Sequence, residues 1–463
     1  VSSGERMGLQ AIVVGAGKLG FEVARRLSDA GHDVVVVDRD AEALAQAADR
    51  LDVMTLVGHG SSPSVLRKAG VASAQLLIAA TDSDELNIVT CMTAKTLGEP
   101  FCVARIRNPE YSSPAGAAQP GRLDLARLGI DRVVRPEDLA AKEIIRMLRT
   151  PSAAEVEYFA GDRAAVVSFA VDEHAPAAGR SVTELGLTHT VVAAVIREAG
   201  TVEIPSGSTV IHPGDRIYFM GRAGNFQEAR RIVGREEHPM RSLVIVGGSP
   251  LGYEVAQFLG KMRRTGLSIR IIERDRERCR ELAEQLPPAV MVLAGDAARP
   301  DLLEDEHVAQ SDACILTTGD DHRNLLVGMM LKGMGVRYCI SELSREEYLP
   351  LAHRAGIDAC VVPRLVTASF ILQLTQRRNV RNLALVEEGK AEILELEAES
   401  GCPAEGRPIG DLRLPPSAVV GIVVREGEVL IPRGATRIQA GDQVLLFLRP
   451  EGVDAVQHLF RQG

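Results

Sequence analysis

The sequence predicts an α/β protein made of two doubly wound parallel-sheet domains, each followed by a small α+β domain. Two observations carry this reading. One is a long internal repeat. AIVVGAGKLGFEVARRL (11–27) matches LVIVGGSPLGYEVAQFL (243–259), and VVAAVIREAGTVEIPSGSTVIHPGDRIYFM (191–220) matches VVGIVVREGEVLIPRGATRIQAGDQVLLFL (419–448). The other is the alternation, inside the longer repeat, of continuous Val/Ile/Leu runs with amphipathic stretches. Strands that are apolar on both faces belong to a parallel sheet covered by helices.

The repeat can be followed in order along the chain. Each first strand leads through a helix-length stretch to a second strand ending in an acid, VVVVDRD with Asp38 and IRIIERD with Glu273. LVGHGSSPSVLRKAGV (56–71) then pairs with LAGDAARPDLLEDEHV (293–308), and LLIAATDSDELN (76–87) with CILTTGDDHRN (314–324). LGIDRVVRPE (128–137) closes the first copy as AGIDACVVPR (355–364) closes the second. The shorter repeat is β-rich and broken by P-x-G and G-D turns, the punctuation of a small domain. The period is far too long for a solenoid, so a whole two-domain unit is duplicated. The expected divisions are 7–150, 151–237, 238–379 and 380–463, with linkers at Pro151 and at Glu236 to Pro239. SSPAGAAQPG (112–121), absent from the second copy, reads as a flexible loop. VSSGER carries no targeting pattern, and the native start is placed at Met7.

Composition narrows the function. Hydrophobic residues at 46% and charged residues at 25% are those of a globular protein. A net charge of -9 argues against nucleic acid, whose phosphates are bound by Lys and Arg. No Trp and only 3% aromatics leave no stacking platform for bases. Apolar runs are strand-length, short of the ~20 residues that cross a bilayer, so no direct membrane insertion is expected. The seven Cys have no C-x-x-C spacing and read as reduced, cytosolic, mostly buried thiols. No metal site is expected.

The chemistry-bearing residues cluster in the first copy. Gly15, Gly17 and Gly20 follow an apolar strand and open a helix, with Ala16, Lys18 and Leu19 between them. Asp38 closes the next strand about 20 residues later, which completes the dinucleotide fingerprint of a Rossmann-like domain. Gly15 permits the tight turn, Gly17 lets backbone approach pyrophosphate, and Gly20 allows close helix–strand packing. The helix N-terminus offers free N–H groups to phosphate. Asp38 should accept hydrogen bonds from ribose hydroxyls, with Arg39 beside it pointing to solvent. Lys18 lies either near a phosphate or in solvent. His59, between Gly58 and Gly60, is assigned to the adenine edge. Ala80, Thr81, Asp82 and Asn87 follow the fourth strand at the carboxyl edge, and Arg105 ends a further strand where it could meet a phosphate. Ordinary loop and cap chemistry is the competing account of these residues. In the second copy Gly247 and Gly252 persist, but Ser249 stands where Gly17 stands and Pro250 removes an N–H. Glu273, Asp296 and Thr318 are still available there, so a weakened or structural site is expected.

The combination of VVGAGKLG, LVGHGSSPSVLRKAG, AATDSDELN and ARIRNPEY, doubled and interleaved with PSGSTVIHPGD, resembles the regulatory subunit of Trk potassium-uptake systems, built of RCK (or KTN) N- and C-domains. The resemblance runs from about Met7 to the C-terminus. It implies a homotetrameric ring bound to an integral-membrane Trk-type transporter, cytoplasmic and peripheral on the inner face of the membrane. It also implies NAD(H), ATP or ADP as ligands that reshape the ring, through a hinge placed near Pro136 to Pro151. By position, Gly15, Gly17, Gly20, Asp38, Thr81 and Arg105 fall on the family's pocket, and Gly247, Gly252 and Glu273 on its variable second one. The family's G-D dipeptide reads Gly58-His59 here and is kept as Gly295-Asp296 in the second copy.

An NAD-dependent oxidoreductase would need a substrate lobe with a positioned acid–base, and the small domains are too short for one. A transcription factor would need a basic recognition helix. Regulators of potassium efflux or of calcium-gated channels usually carry one such copy, often fused to membrane helices. The expectation is therefore a non-enzymatic sensor.

Overall fold

The computed structural model describes residues 8–108, 110–111, 123–149, 155–198, 200–235, 240–262, 266–374, 380–386 and 390–462. The expected start at Met7, the 112–121 loop and the linkers at Pro151 and 236–239 lie outside them.

The first copy opens with β1 (Gln10–Val14), α1 (Lys18–Asp29), β2 (Asp33–Asp38), α2 (Ala41–Arg50), β3 (Met54–Val57) and α3 (Pro63–Lys68). It continues through β4 (Leu76–Ala79), α4 (Asp84–Leu97), β5 (Phe101–Arg105), β6 (Arg132–Val134) and α5 (Pro136–Arg149). The small domain adds β7 (Glu155–Phe159), β8 (Ala164–Ala170), β9 (Thr190–Ile196), β10 (Val202–Glu203), β11 (Arg216–Arg222) and α6 (Gln227–Ile232). The second copy repeats the first as β12 (Ser242–Val246), α7 (Pro250–Lys261), β13 (Ser268–Glu273), α8 (Arg276–Gln285), β14 (Val290–Ala294) and α9 (Pro300–Asp305). There follow β15 (Ala313–Leu316), α10 (Asp321–Gly333), β16 (Tyr338–Glu342), α11 (Leu349–Arg354), β17 (Ala359–Val361) and α12 (Pro363–Leu374). The last domain is β18 (Val380–Val386), β19 (Ala391–Glu397), β20 (Ala418–Arg425), β21 (Glu428–Leu430), β22 (Gln443–Leu448) and α13 (Val453–Phe460).

These elements gather by kind, not by copy. One unit holds Val1–Ile145 with Met240–Thr375, the other Arg146–Pro239 with Gln376–Gly463. The first unit contains two parallel six-stranded sheets of one order, β3-β2-β1-β4-β5-β6 and β14-β13-β12-β15-β16-β17. This is the doubly wound Rossmann-like arrangement, which reverses direction between β1 and β4 and leaves a crevice there. The central strands are buried from end to end, as their uninterrupted Val, Ile and Leu residues require. The acid pairs of VVVVDRD and IRIIERD divide their labour. Asp40 and Asp275 N-cap α2 and α8, while Asp38 and Glu273 turn towards the glycine loops.

The two copies in this unit share a core. Ala368 and Ile371 of α12 are buried in one cluster with Leu19, Val23 and Leu27 of α1. Arg26 donates to Ser369 at 2.8 Å across the same seam. Between the start of α5 and α7, Arg135 pairs with Glu254 at 2.9 Å. The stretch from Pro136 to Pro151, where a hinge is expected, holds the 14-residue helix α5 (Pro136–Arg149), and the division between the two units falls within that helix. Residues 150 and 151 lie outside the described ones.

The second unit pairs two antiparallel sheets of matching topology, β10-β9-β11-β8-β7 and β18-β19-β22-β20-β21. Their facing sides share one core that includes Phe159, Tyr218, Met220, Ile393, Ile422 and Phe447. The Tyr218 and Phe447 rings sit 5.7 Å apart, tilted by 54°. Each G-D turn buries its aspartate. Asp215 takes Arg197 at 2.7 Å, and Asp442 takes Arg425 through two hydrogen bonds of 2.9 Å. All seven cysteines are free thiols, six of them buried. Among the described residues, no helix is long and apolar enough to cross a membrane.

Candidate functional site

The carboxyl ends of β1, β2, β4 and β5 surround a cavity of about 1080 Å³ in the first unit. Gly15 leaves β1 at φ +107°, and a Cβ there would come within 3.0 Å of the Thr81 backbone. Gly17 forms the N-cap of α1 and has no neighbour within 4 Å of a would-be Cβ. The loop is therefore tight at its base and open at its crest, towards the cavity. Gly20 is the reverse case, since its would-be Cβ lies 1.8 Å from the Gly15 carbonyl oxygen. Gly20→Ala is expected to destabilise the first unit by roughly 1–3 kcal/mol, because backbone must move to admit the methyl group. Urea unfolding would check this.

Asp38 bolts the loop to β2. Its Oδ2 accepts from the Ala16 N–H at 2.5 Å and its Oδ1 from the Asp40 N–H at 3.0 Å. A carboxylate has roughly four acceptor positions, so capacity remains for ribose hydroxyls. Asn87, fully buried, plays the matching part at the end of β4. Its Oδ1 accepts from the Thr81 N–H and hydroxyl at 3.0 and 2.7 Å, and its Nδ2 donates to the Arg105 carbonyl at 2.9 Å.

The expected residues divide into wall and support. Gly15, Gly17, Lys18 and Leu19 line the cavity, as do Asp38 and Arg39 after β2. Gly58, His59 and Gly60 line it after β3, and Ala80, Thr81 and Asp82 after β4. Arg105 lines it too, with its guanidinium paired to Asp82 at 3.0 Å and its Nε buried without a partner among the described residues. Exposed His59 is hydrogen-bonded to Ser61. Ala16, Gly20 and Asn87 stand behind the wall.

The second copy's counterparts lie elsewhere and are turned inward on each other. Gly247 and Gly252 repeat the tight base of the loop. Ser249 caps α7, accepting the Gly252 N–H at 3.2 Å, and Arg278 donates to the Gly248 carbonyl at 2.8 Å. Glu273 accepts from the Gly248 N–H at 2.6 Å, as Asp38 does from Ala16. Asp296 is paired with Arg323, and the Thr318 hydroxyl with Asn324. The Gly252 N–H and the Arg278 Nε are thus occupied within the protein, in addition to the N–H that each copy's acid holds.

Sequence reasoning missed the far wall. Pro136 and Glu137 at the start of α5 face the cavity. So do Glu342, Ser344, Pro363 and Arg364 from the second copy. Burial, with Asp321 and Glu137 adding to it, pushes the Glu342 carboxyl up to about 7, and its Oε2 has no hydrogen-bond partner among the described residues. The repeat carried the signal. Arg105 and Glu342 are counterparts, as are Glu137 and Arg364, and each pair reverses its charge.

Residues 11–136 and 243–363 match the TrkA-N domain, and residues 166–234 and 393–461 match the TrkA-C domain. The chain is 35% identical over 459 residues to the Trk system potassium uptake protein TrkA of Azorhizobium caulinodans, covering 98% of this chain and 99% of that one. It is 32% identical over 460 residues to the Trk system potassium uptake protein TrkA homolog 2 of Methanosarcina mazei, covering 98% and 100%. Among solved structures, the GsuK RCK domain superposes with a TM-score of 0.58 at 19% identity, over 99% of this chain and 96% of that one. That likeness speaks for the fold alone. With both domain types matched in both copies, and relatives above 30% identity along nearly their whole length, the chain belongs to the TrkA family.

Proposed function

We propose that the first-copy cavity binds an adenine nucleotide, NAD(H) or ATP/ADP, and that its occupancy regulates a Trk-type potassium transporter. The family is regulatory and not enzymatic. In this reading the chain acts as a homotetramer on the cytoplasmic face of the membrane, held there by the integral-membrane subunit. The four divisions at 150, 237 and 379 belong to the same reading. The observation that carries it is the gathering of the fingerprint glycines, the N-terminus of α1 and Asp38 on one cavity. Its 1080 Å³ is ample beside the roughly 300–1,000 Å³ of ordinary ligand pockets. α1 has no acid in its first turn, so its partial positive charge faces the cavity undiminished. The GsuK channel bound to NAD superposes with a TM-score of 0.57 at 18% identity, over 99% of this chain and 80% of that one. Regulation requires that the ligand bind one conformation better than another, since equal affinities shift nothing.

Calorimetric titration with NADH, NAD, ATP and ADP tests the proposal. The expected result is one site per chain, because Ser249 and Arg278 occupy the second loop. Gly17→Ala separates binding from folding. Its φ of -67° and open surroundings leave the fold untouched, while the methyl group projects where phosphate must lie. An unchanged melting temperature with affinity lowered at least about tenfold is expected, a loss near 1.4 kcal/mol. Asp38→Ala should lose binding as well, with some loosening of the loop. No binding of any of the four nucleotides would end this reading.

A further inference from the structure

The strand order β3-β2-β1-β4-β5-β6 gives a ligand in this cavity a direction. An adenosine would lie on the side of Asp38 and Gly58, and a pyrophosphate over Gly17 and the start of α1. Whatever extends further crosses the switch point towards Thr81, Arg105 and the wall that the second copy supplies. The groups on that wall decide which extension is accepted.

Two bases are close enough to matter beyond the switch point, and they differ in availability. Arg105 is committed to Asp82 and the Thr81 carbonyl. Arg364 lines the cavity and has no hydrogen bond or ion pair among the described residues. It sits in the first turn of α12, a 12-residue helix without an acid in that turn. α12 therefore presents its partial positive end and a free guanidinium to the same space. The counterpart helix α5 has Glu137 and Asp138 there instead. Glu137 and Glu342 line the same cavity, so without the arginine this wall would offer an added phosphate no positive side chain. The uncharged dihydronicotinamide riboside of NADH gains little from Arg364, and the cationic nicotinamide of NAD is repelled by it. A third phosphate gains a charge-assisted, bidentate partner.

We propose that Arg364, contributed by the second copy, is the residue that recognises the terminal phosphate of a nucleoside triphosphate in the first copy's cavity, and so sets the preference for tri- over diphosphate. This rests on the nucleotide reading above. The degraded copy then has a role of its own, since it completes the pocket of its partner domain within the same chain.

The test is calorimetry with ATP and ADP on the full chain, without divalent cations, using wild type, Arg364→Ala, Arg364→Lys and Arg364→Glu. Arg364→Glu installs the residue that α5 already carries at this position, so folding is preserved, and melting temperatures would show it. Loss of a charge-assisted bond weakens binding about 10- to 100-fold. The expected result is that loss for ATP in Arg364→Ala, with ADP within about twofold, a partial recovery in Arg364→Lys and a deeper loss in Arg364→Glu. Equal loss for ATP and ADP, or no loss for either, would overturn the assignment while leaving the nucleotide site intact. A wild type that binds neither would remove the site and the assignment together.

Discussion

Asp442→Ala should destabilise the second unit by about 3 kcal/mol, the lower end of the roughly 3–5 kcal/mol that follows when a buried ion pair loses one partner. The carboxylate is 1% exposed. It accepts from Arg425 Nε and Nη2, both at 2.9 Å, and from the Gln439 N–H at 2.8 Å. Removal leaves that N–H without its partner and the guanidinium without its counter-charge. Arg425 keeps some access to water, which holds the cost to the lower end. Asp442→Asn, which preserves an acceptor for the Gln439 N–H, should cost about half as much. Hydrogen exchange in β20 and β22 measures the effect directly, because those strands pair with each other through this corner. Protection unchanged in Asp442→Ala would show that the turn is held by its backbone alone. Asp215 in the first small domain takes Arg197 and the His212 N–H each at 2.7 Å, but Arg197 is also paired with Glu203, so Asp215→Ala should cost less.

That pair of turns shows what the sequence discloses and what it withholds. HPGD and QAGD are legible as turns because Gly and Asp punctuate strands. Nothing local announces that each aspartate is buried against an arginine at the end of a neighbouring strand. The parallel sheets are legible from uninterrupted apolar strands, and the cavity's near wall from glycine spacing and Asp38. The association of like with like is not. An apolar face on α12 states that it is buried, and Ala368 and Ile371 do not say that α1 is what covers them. Asp38 reads in sequence as a ligand group alone, although its first partners are backbone N–H groups of its own loop. The far wall escapes any search of each copy for its own site. Comparing the copies for reversed charge, Arg105 against Glu342 and Glu137 against Arg364, points to it.

Glu342→Gln should stabilise the first unit in a way that depends on pH. The fold raises this carboxyl from an ordinary 4.5 to about 7, chiefly by burial, so it favours the neutral form. Below about pH 4.5 the group is protonated in folded and unfolded chains alike and contributes nothing. Between 4.5 and 7 the unfolded chain gives up its proton while the fold resists, so stability falls as pH rises. Above about 7 the full cost is present, roughly 3 kcal/mol at most. Glutamine is neutral throughout and nearly isosteric. The difference between Glu342→Gln and wild type should therefore be near zero at pH 4.5, grow through pH 6, and level off above 7. Urea unfolding of the ligand-free protein across that range reads it, and a difference independent of pH would show that Glu342 is solvated after all. Glu137→Gln should shrink the difference, since Glu137 is one of the two carboxylates that raise the group. A fold that keeps such a cost on the wall of this cavity is spending stability on a group placed where a ligand would meet it.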